Sequence, residues 1–217
     1  PESLDTRMVS TGDGRTTCSY FYPSGNEILY SSTHHHNAAC PENPDFSMGY
    51  VWPVYDTYDV FASNLDGSDL RQLTTEDGYD AEATFSPIGD RIVFTSARDG
   101  DLELYSMAPD GSDLLRLTDR PGYDGGAFYS PDGSKIIWRA YYPEEGPELE
   151  DYRRLLSQGL LRPGELEIYI MDADGSNQQQ VTQLGGANFA PYWHPSGEKI
   201  VFSSNHHDPD GRDFEIY

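Results

Sequence analysis

The chain has 217 residues, of which 36% are hydrophobic and 24% charged, and its formal net charge at pH 7 is −23. The mean hydropathy is −0.66, and no apolar run approaches the roughly 18 residues that a membrane-spanning helix needs, so we expect no transmembrane span in this sequence. The charge disfavours nucleic acids and anionic membranes as partners and favours cations and basic partners. A solvated acidic surface of an exported or salt-adapted protein explains the same charge more simply.

The first patterned element is the segment 21–25, Phe-Tyr-Pro-Ser-Gly, which an apolar run over 28–30 follows. A Pro-x-Gly unit between two such runs predicts a turn between short strands. The same pattern returns three times along the chain, around Pro87, Pro131 and Pro195. An internal repeat of this size predicts units that bury their apolar faces against one another.

A long insertion follows the first copy of the motif, over residues 33–57. It contains the histidine run 34–36, the cysteine Cys40 and a stretch rich in aromatic residues. The aromatic residues that we expect to contact a partner here are Tyr50, Trp52 and Tyr55. Function is often carried by loops on a rigid scaffold, which is why the insertion is a candidate site.

The second half of the repeat runs over 58–74 and contains an apolar strand, an Asp-Gly turn and a closing Leu-Thr pair. It recurs over 102–118 and 166–182, and residues 214–217 begin a further copy. Residues 7–10 stand at the spacing expected for the close of an earlier repeat. Four antiparallel strands in a unit of about 44 residues are typical of one blade of a β-propeller.

A second insertion spans 141–165, at the same position in its repeat as the first. Its segment 147–156 has acidic residues first, basic residues last and a stripe of Leu and Tyr, which predicts a short amphipathic helix. Three roles are open for this stripe, namely packing on its own blade, covering the channel and docking a partner. Because loops at this position emerge on one face of a propeller, we expect the two insertions to form one working face. Its further aromatic candidates are Tyr141, Tyr142 and Tyr152.

The full pattern resembles the TolB-like propeller repeat of exported bacterial proteins. The residues that carry the resemblance are the aromatic-Ser-Pro-Asp-Gly turn, the Ile-Val-Phe strand, the Glu-Ile-Tyr strand and the Asp-Gly-Ser and Leu-Thr units. It covers nearly the whole chain, although Ser24, Ile88 and His194 depart from the family pattern and the insertions lie outside it. The resemblance implies an all-β fold, one propeller domain over 1–217, and a part of a six-bladed ring. It also implies export to the periplasm or the extracellular space.

Two groups of side chains are candidate cation ligands. Seven residues before the repeat prolines stand Thr16, Asp80, Asp124 and Asn188, which we expect near the mouth of the channel with Glu82 nearby. Their oxygen atoms would suit a hard divalent cation such as calcium, but an Asp here also caps the turn that enters a blade. The second group contains the imidazoles of His34, His35, His206 and His207, which share a register and could bind zinc. Solvated loop histidines are the alternative.

The two cysteines, Cys18 and Cys40, belong to the same repeat. A disulfide between them is sterically plausible and would match an oxidising compartment. Two buried free thiols are the alternative.

No catalytic motif stands out, since a Gly-x-Ser-x-Gly elbow, a P-loop and a glycine-rich dinucleotide fingerprint are all absent. We therefore expect a noncatalytic binding or scaffold propeller that engages a protein or peptide through the inserted face, with no cofactor other than a divalent cation. The alternative is a substrate-gating propeller of a larger exported hydrolase or peptidase. An incomplete ring would also favour self-association, because it exposes apolar blade faces.

Overall fold

The computed structural model describes residues 6–217, which form four antiparallel β-sheets arranged side by side as propeller blades. The first blade begins with the strands β1 (Thr16–Phe21) and β2 (Glu27–Ser32). The short strand β3 (Trp52–Pro53) lies in the first insertion, and the blade is completed by β4 (Asp59–Asn64) and β5 (Arg71–Gln72). The order β1-β2-β4-β5 runs from the innermost strand outward, as the repeat predicts.

The other blades repeat this order. The second blade contains β6 (Asp80–Phe85), β7 (Ile92–Ser96), β8 (Glu103–Met107) and β9 (Leu115–Arg116). The third contains β10 (Tyr123–Tyr129), β11 (Lys135–Tyr141), the helix α1 (Pro147–Leu156), β12 (Leu160–Leu161), β13 (Glu167–Asp172) and β14 (Gln179–Gln180). The fourth has three strands, β15 (Asn188–Trp193), β16 (Ile200–Ser204) and β17 (Glu215–Ile216).

Neighbouring blades pack through the alternating side chains of their strands. Leu29 and Val60 of the first blade belong to one core with Ile92 and Phe94 of the second, and all four are fully buried. Similar cores join the second blade to the third and the third to the fourth. Burying an aliphatic or aromatic side chain of this size contributes roughly 1.5–3 kcal/mol, so these junctions hold the blades together.

The four blades form an open arc. The inner strands β1, β6, β10 and β15 contact one another in succession, while β1 and β15, within the described residues, have no Cα atoms within 8 Å of each other. The all-β propeller expectation is therefore confirmed for four blades, and the expectation of a six-bladed ring stays a prediction.

Residues 7–10 form no strand, yet they lie against the first blade where the outer strand of a preceding blade would end. The carbonyl oxygen of Val9 lies 2.8 Å from the position that a Cβ would occupy on Gly67. In the next two junctions, the carbonyls of Leu73 and Leu117 approach Gly111 and Gly175 in the same way. The three turn glycines have φ between +79° and +88°, so the Asp-Gly units supply both the turn and a close approach between blades.

A β-bulge interrupts every inner strand at the same register. Two residues of the inner strand face one residue of its neighbour, and the first of the two lies five positions before each repeat proline with a positive φ, between 47° and 61°. The four bulge residues are Cys18, Glu82, Gly126 and Ala190. A bulge redirects the side chains next to it.

Candidate functional site

The two insertions meet on one face of the arc and stabilise each other. Strand β3 of the first insertion pairs with strand β12 of the second, with Leu161 opposite Trp52. The predicted helix is confirmed as α1, and its residues Leu149, Tyr152 and Leu155 are buried. Leu155 packs with Val51 of the first insertion, so the helix stripe joins the insertions rather than facing solvent.

Tyr152 anchors helix α1 to the propeller body. Its hydroxyl, which has one proton to donate, lies within hydrogen-bond distance of the Asp101 carboxylate and the Gly122 carbonyl, which belong to the second and third repeats. Burial and the nearby Asp101 carboxylate raise the pKa of Tyr152, so the hydroxyl stays protonated and keeps donating. This residue therefore has a positioning role in the structure.

A cavity of about 880 Å³ opens on the inserted face, between the second insertion and the fourth blade. We call it the insertion cavity. Its aromatic lining residues are Tyr50, Tyr141, Tyr152, Phe189 and Phe214, and its charged lining residues are Glu148, Asp151, Glu165, Asp210, Arg162 and Arg212. The volume lies in the range typical of ligand sites.

Three of the six aromatic residues predicted on the partner face line this cavity, namely Tyr50, Tyr141 and Tyr152. Tyr50 is 70% exposed. Trp52, Tyr55 and Tyr142 lie outside the lining. Trp52 packs on Tyr123 and Phe189, and the Tyr142 hydroxyl donates to Asp124. Tyr55 donates to the Glu42 carbonyl and accepts from Arg15.

A polar cluster occupies the channel side of the second and third blades. The Glu82 carboxylate accepts from the Arg139 guanidinium at 3.1 Å, from the Tyr123 hydroxyl at 3.1 Å and from the Gly126 backbone N–H at 2.5 Å. The side chains of Arg139 and Glu82 are 17% and 14% exposed. Burial would lower the pKa of Arg139, but the neighbouring Tyr123 and Glu82 raise it, so the guanidinium keeps its charge.

Gly126 makes room for this cluster. A Cβ on Gly126 would lie 2.0 Å from a guanidinium nitrogen of Arg139. The other three bulge positions carry side chains at similar φ, so the close approach of Arg139, rather than the φ angle, requires glycine here. The sequence analysis named Glu82 only as a neighbour of the candidate cation ligands and missed Arg139, which no repeat motif marks.

The residues predicted to bind a cation at the channel mouth each make hydrogen bonds to protein groups near them. Asp80 accepts two hydrogen bonds from Arg98 at 3.0 and 3.1 Å, and Asp124 accepts from Trp138 and Tyr142 at 2.6 Å. Asn188 donates to the Leu166 carbonyl. Burial raises the pKa values of Asp80 and Asp124.

Thr16 bonds the Ser32 hydroxyl at 3.4 Å, within the first blade. Among the described residues, no group of three or more His, Cys, Asp or Glu side chains is arranged to hold a metal ion. Cation binding therefore stays a prediction.

The two histidine pairs lie on different blades, at equivalent places. His34 bonds the Ser32 hydroxyl at 2.9 Å, and His206 bonds the Ser204 hydroxyl at 3.2 Å. The rings of His34 and His35 also pack on Phe61, and the ring of His206 packs on Tyr217. These contacts give the pairs a structural role within each blade, and zinc binding by them stays a prediction.

Cys18 and Cys40 are both free and exposed in the structure. The Cys40 thiol donates to the Gly14 carbonyl at 3.0 Å, and the Cys18 sulfur lies 3.3 Å from the Thr17 hydroxyl. A bridge under oxidising conditions remains a prediction, and the mass change on reduction tests it.

No helix within residues 6–217 combines the length and the hydropathy needed to cross a membrane. Comparison with known proteins shows that residues 51–145 match the family described as the TolB beta propeller domain. This segment includes the second-half motif of the first blade and the whole second blade, which are the repeats that carry the resemblance.

Solved structures with the same fold include two TolB proteins. The structure of putative TolB from Agrobacterium tumefaciens is 21% identical, with a TM-score of 0.56, over 78% of this chain and 50% of that chain. TolB from Acinetobacter baumannii is also 21% identical, with a TM-score of 0.64, over 94% of this chain and 40% of that one.

A puromycin hydrolase, solved as an S511A mutant complexed with PGG, is 13% identical with a TM-score of 0.59, over 93% of this chain and 26% of that one. The chain thus spans half or less of the length of each of these proteins. The repeated motifs, the four-bladed fold and the matched segment agree: the chain has the β-propeller fold of these TolB proteins, and its residues 51–145 match the TolB beta propeller domain.

Proposed function

We propose that this protein is a noncatalytic binding or scaffold propeller, which engages a protein or peptide partner through the face built by its two insertions. The observation that carries the proposal is the insertion cavity, which the second insertion and the fourth blade enclose with the first insertion at its edge. The paired strands β3 and β12 and the anchored helix α1 hold its walls in place. Preformed concave sites lined by aromatic residues are typical of ligand recognition.

The resemblance to exported TolB-like proteins supports a periplasmic or extracellular location. The net charge of −23 also suits a protein that stays soluble outside the cytoplasm. Detection of the protein in an envelope or culture fraction of its source cells tests this part of the proposal, and its recovery with the cytoplasmic fraction would contradict it.

The binding role is tested with an array of random dodecamer peptides. We expect the wild-type protein to bind a subset of the array, and the double variant Tyr50→Ser/Phe214→Ser to lose that binding. These side chains are 70% and 43% exposed, so their replacement should leave folding intact.

The matched control is Ile88→Ser/Leu114→Ser, which removes two apolar side chains of similar exposure, 64% and 44%, from turns on the opposite face. The control should bind the same peptides as the wild type. Absence of any bound peptide, or an equal loss in both variants, would rule out the proposal.

A second candidate function is a substrate-gating propeller domain of a larger exported hydrolase or peptidase. The likeness in fold to a puromycin hydrolase, of which this chain covers 26%, favours it. The complete coding sequence decides between the candidates. A hydrolase domain on the same polypeptide would support gating, and a gene that encodes only propeller repeats would exclude it.

A further inference from the structure

We propose that the insertion cavity selects a cationic side chain, so that the peptide which it binds carries arginine or lysine. The inference rests on the proposed binding function and adds the chemical class of the ligand. It follows from the rings, the carboxylates and the overall charge of the protein, each of which favours a cation at this place.

The first observation is a row of aromatic rings that crosses the inserted face. Tyr50 and Trp52 have ring centroids 6.4 Å apart, Trp52 and Phe189 are separated by 5.9 Å, and Phe189 and Phe214 by 5.5 Å. Tyr50, Phe189 and Phe214 line the cavity. The face of an aromatic ring attracts a cation within about 6 Å of its centroid, most strongly where water is excluded.

Two arginines of the chain already lie over aromatic rings, and one of these rings, Phe189, lines the cavity. The guanidinium of Arg139 lies 5.8 Å from the ring centroid of Phe189, and that of Arg120 lies 4.0 Å from the ring of Tyr142. The aromatic surface of the cavity can therefore accept a ligand guanidinium in the same manner.

The second observation is the excess of carboxylates around the cavity. Four acidic residues and two arginines line it, which leaves a formal charge of −2. Of the two arginines, Arg162 is already engaged, because it lies 3.4 Å from Asp151 and donates to the Met48 carbonyl at 3.0 Å.

Glu148 is an exposed lining residue whose carboxylate is held in place by two hydrogen bonds. Its carboxylate accepts hydrogen bonds from the Tyr141 hydroxyl at 2.5 Å and from the Glu144 backbone N–H at 2.8 Å. The carboxylate needs no rearrangement to meet a ligand cation. Glu165 and Asp210 are exposed, so their charge reaches the cavity from its rim.

The third observation is the overall charge of −23, which attracts basic peptides over long range and repels acidic or phosphorylated ones. An uncharged apolar ligand would gain from the rings but not from the carboxylates. The combination of rings with a net negative lining therefore favours a basic peptide over both alternatives.

The test uses isothermal titration calorimetry with three acetylated and amidated hexapeptides. The first has the sequence Gly-Phe-Arg-Gly-Phe-Arg, the second has citrulline in place of each arginine, and the third has glutamate there. Citrulline keeps the shape of arginine without its charge. We expect the arginine peptide to bind about tenfold more tightly than the citrulline peptide at about 50 mM salt, and the glutamate peptide to bind least.

The protein variant for this test is Glu165→Gln/Asp210→Asn, which removes two rim charges. It should lower the preference for arginine over citrulline at least about threefold. The matched control is Asp90→Asn/Glu198→Gln, which removes two exposed acidic side chains beside Pro-x-Gly turns on the opposite face. The control should keep the wild-type preference, because the local lining, rather than the total charge, sets it.

Equal affinity for the arginine and citrulline peptides would overturn the inference. So would an equal loss of preference in the rim variant and the control. If the peptides bind alike but Tyr50→Ser/Phe214→Ser abolishes binding, the binding function stands and only the charge selection fails. If neither these peptides nor the array peptides bind, both proposals fail.

Discussion

At the scale of single residues, the bulge in each inner strand shows how one register position acquires different roles. Glu82 uses it to place a carboxylate among Arg139, Tyr123 and the Gly126 N–H. At the same register position of the third blade, Gly126 has no side chain and leaves space for the Arg139 guanidinium. The ion pair is mostly buried, so its effect on stability depends on keeping both partners.

Replacing Arg139 by Met should lower the free energy of unfolding by about 3 kcal/mol, because it leaves the Glu82 carboxylate without a cation in a mostly buried site. The double variant Glu82→Gln/Arg139→Met should recover most of this loss, since the glutamine can still accept from the Gly126 N–H. Urea denaturation of the single and double variants measures the difference. A double variant less stable than Arg139→Met would contradict the role of the ion pair.

The carboxyl group of Asp59 should make the free energy of unfolding of this protein depend on pH. Burial raises its pKa to about 6, against hydrogen bonds from Thr74 and Gln72 that favour the charged form. The folded state then binds a proton more tightly than the unfolded state, so this group contributes less stability as the pH rises from about 4 to 6.

Relative to Asp59→Asn, the wild-type protein should lose about 1 kcal/mol of unfolding free energy over this range, a value reduced for the partial exposure of the carboxyl. Urea denaturation of both proteins at several pH values measures this difference. A difference that stays constant with pH would contradict the raised pKa.

At the scale of the element, the closing threonine of each of the first three blades accepts a hydrogen bond from the third strand of that blade. The hydroxyl oxygens of Thr74, Thr118 and Thr182 accept backbone N–H groups at 2.9, 2.8 and 2.8 Å. The outer strands have only two residues each, so these side-chain bonds extend the pairing beyond the strand itself. This contact explains why the Leu-Thr unit recurs in the sequence.

Replacing Thr118 by Val should destabilise the protein by about 2 kcal/mol, because the Leu104 N–H loses its acceptor in a buried site. Thr118→Ser keeps the hydroxyl and serves as the matched control, with a smaller expected loss. The two variants are compared by chemical denaturation at pH 7. Equal stability of the Val and Ser variants would show that the hydroxyl contributes nothing.

At the scale of the whole molecule, the fourth blade exposes apolar side chains whose equivalents in the third blade are covered by a neighbouring blade. Val201 is 40% exposed and Ile216 is 73% exposed on the fourth blade, whereas the equivalent Ile137 and Ile168 of the third blade are fully buried. The acidic charge opposes contact between copies, and salt screens that repulsion. Association of this chain should therefore depend on ionic strength.

We expect the wild-type chain to associate increasingly as salt is raised, and the variant Val201→Ser/Ile216→Ser to associate less. Analytical ultracentrifugation over a series of protein and salt concentrations measures this. The variant Ile88→Ser/Leu114→Ser serves again as the control, because it alters apolar residues outside the blade face. Equal association of all three proteins would exclude this face as the contact.

Much of the fold could be predicted because it repeats. The spacing of Pro87 and Pro131, together with the turn at Gly111, fixed the strand order within a blade, and charge and apolar spacing predicted helix α1. The candidate site was predictable only in outline. Tyr50, Tyr141 and Tyr152 line the insertion cavity, while Trp52, Tyr55 and Tyr142 are held by contacts with residues far away in sequence.

The sequence by itself determined the blade repeat, the turns and the position of the insertions, because these depend on local spacing and on residue types that favour strands and turns. The tertiary structure decided which side chains meet. Glu82 of the second blade pairs with Arg139 of the third, Asp80 pairs with Arg98, and Phe189 packs on Trp52 across the inserted face. Such contacts depend on how blades and insertions pack, which no local pattern encodes.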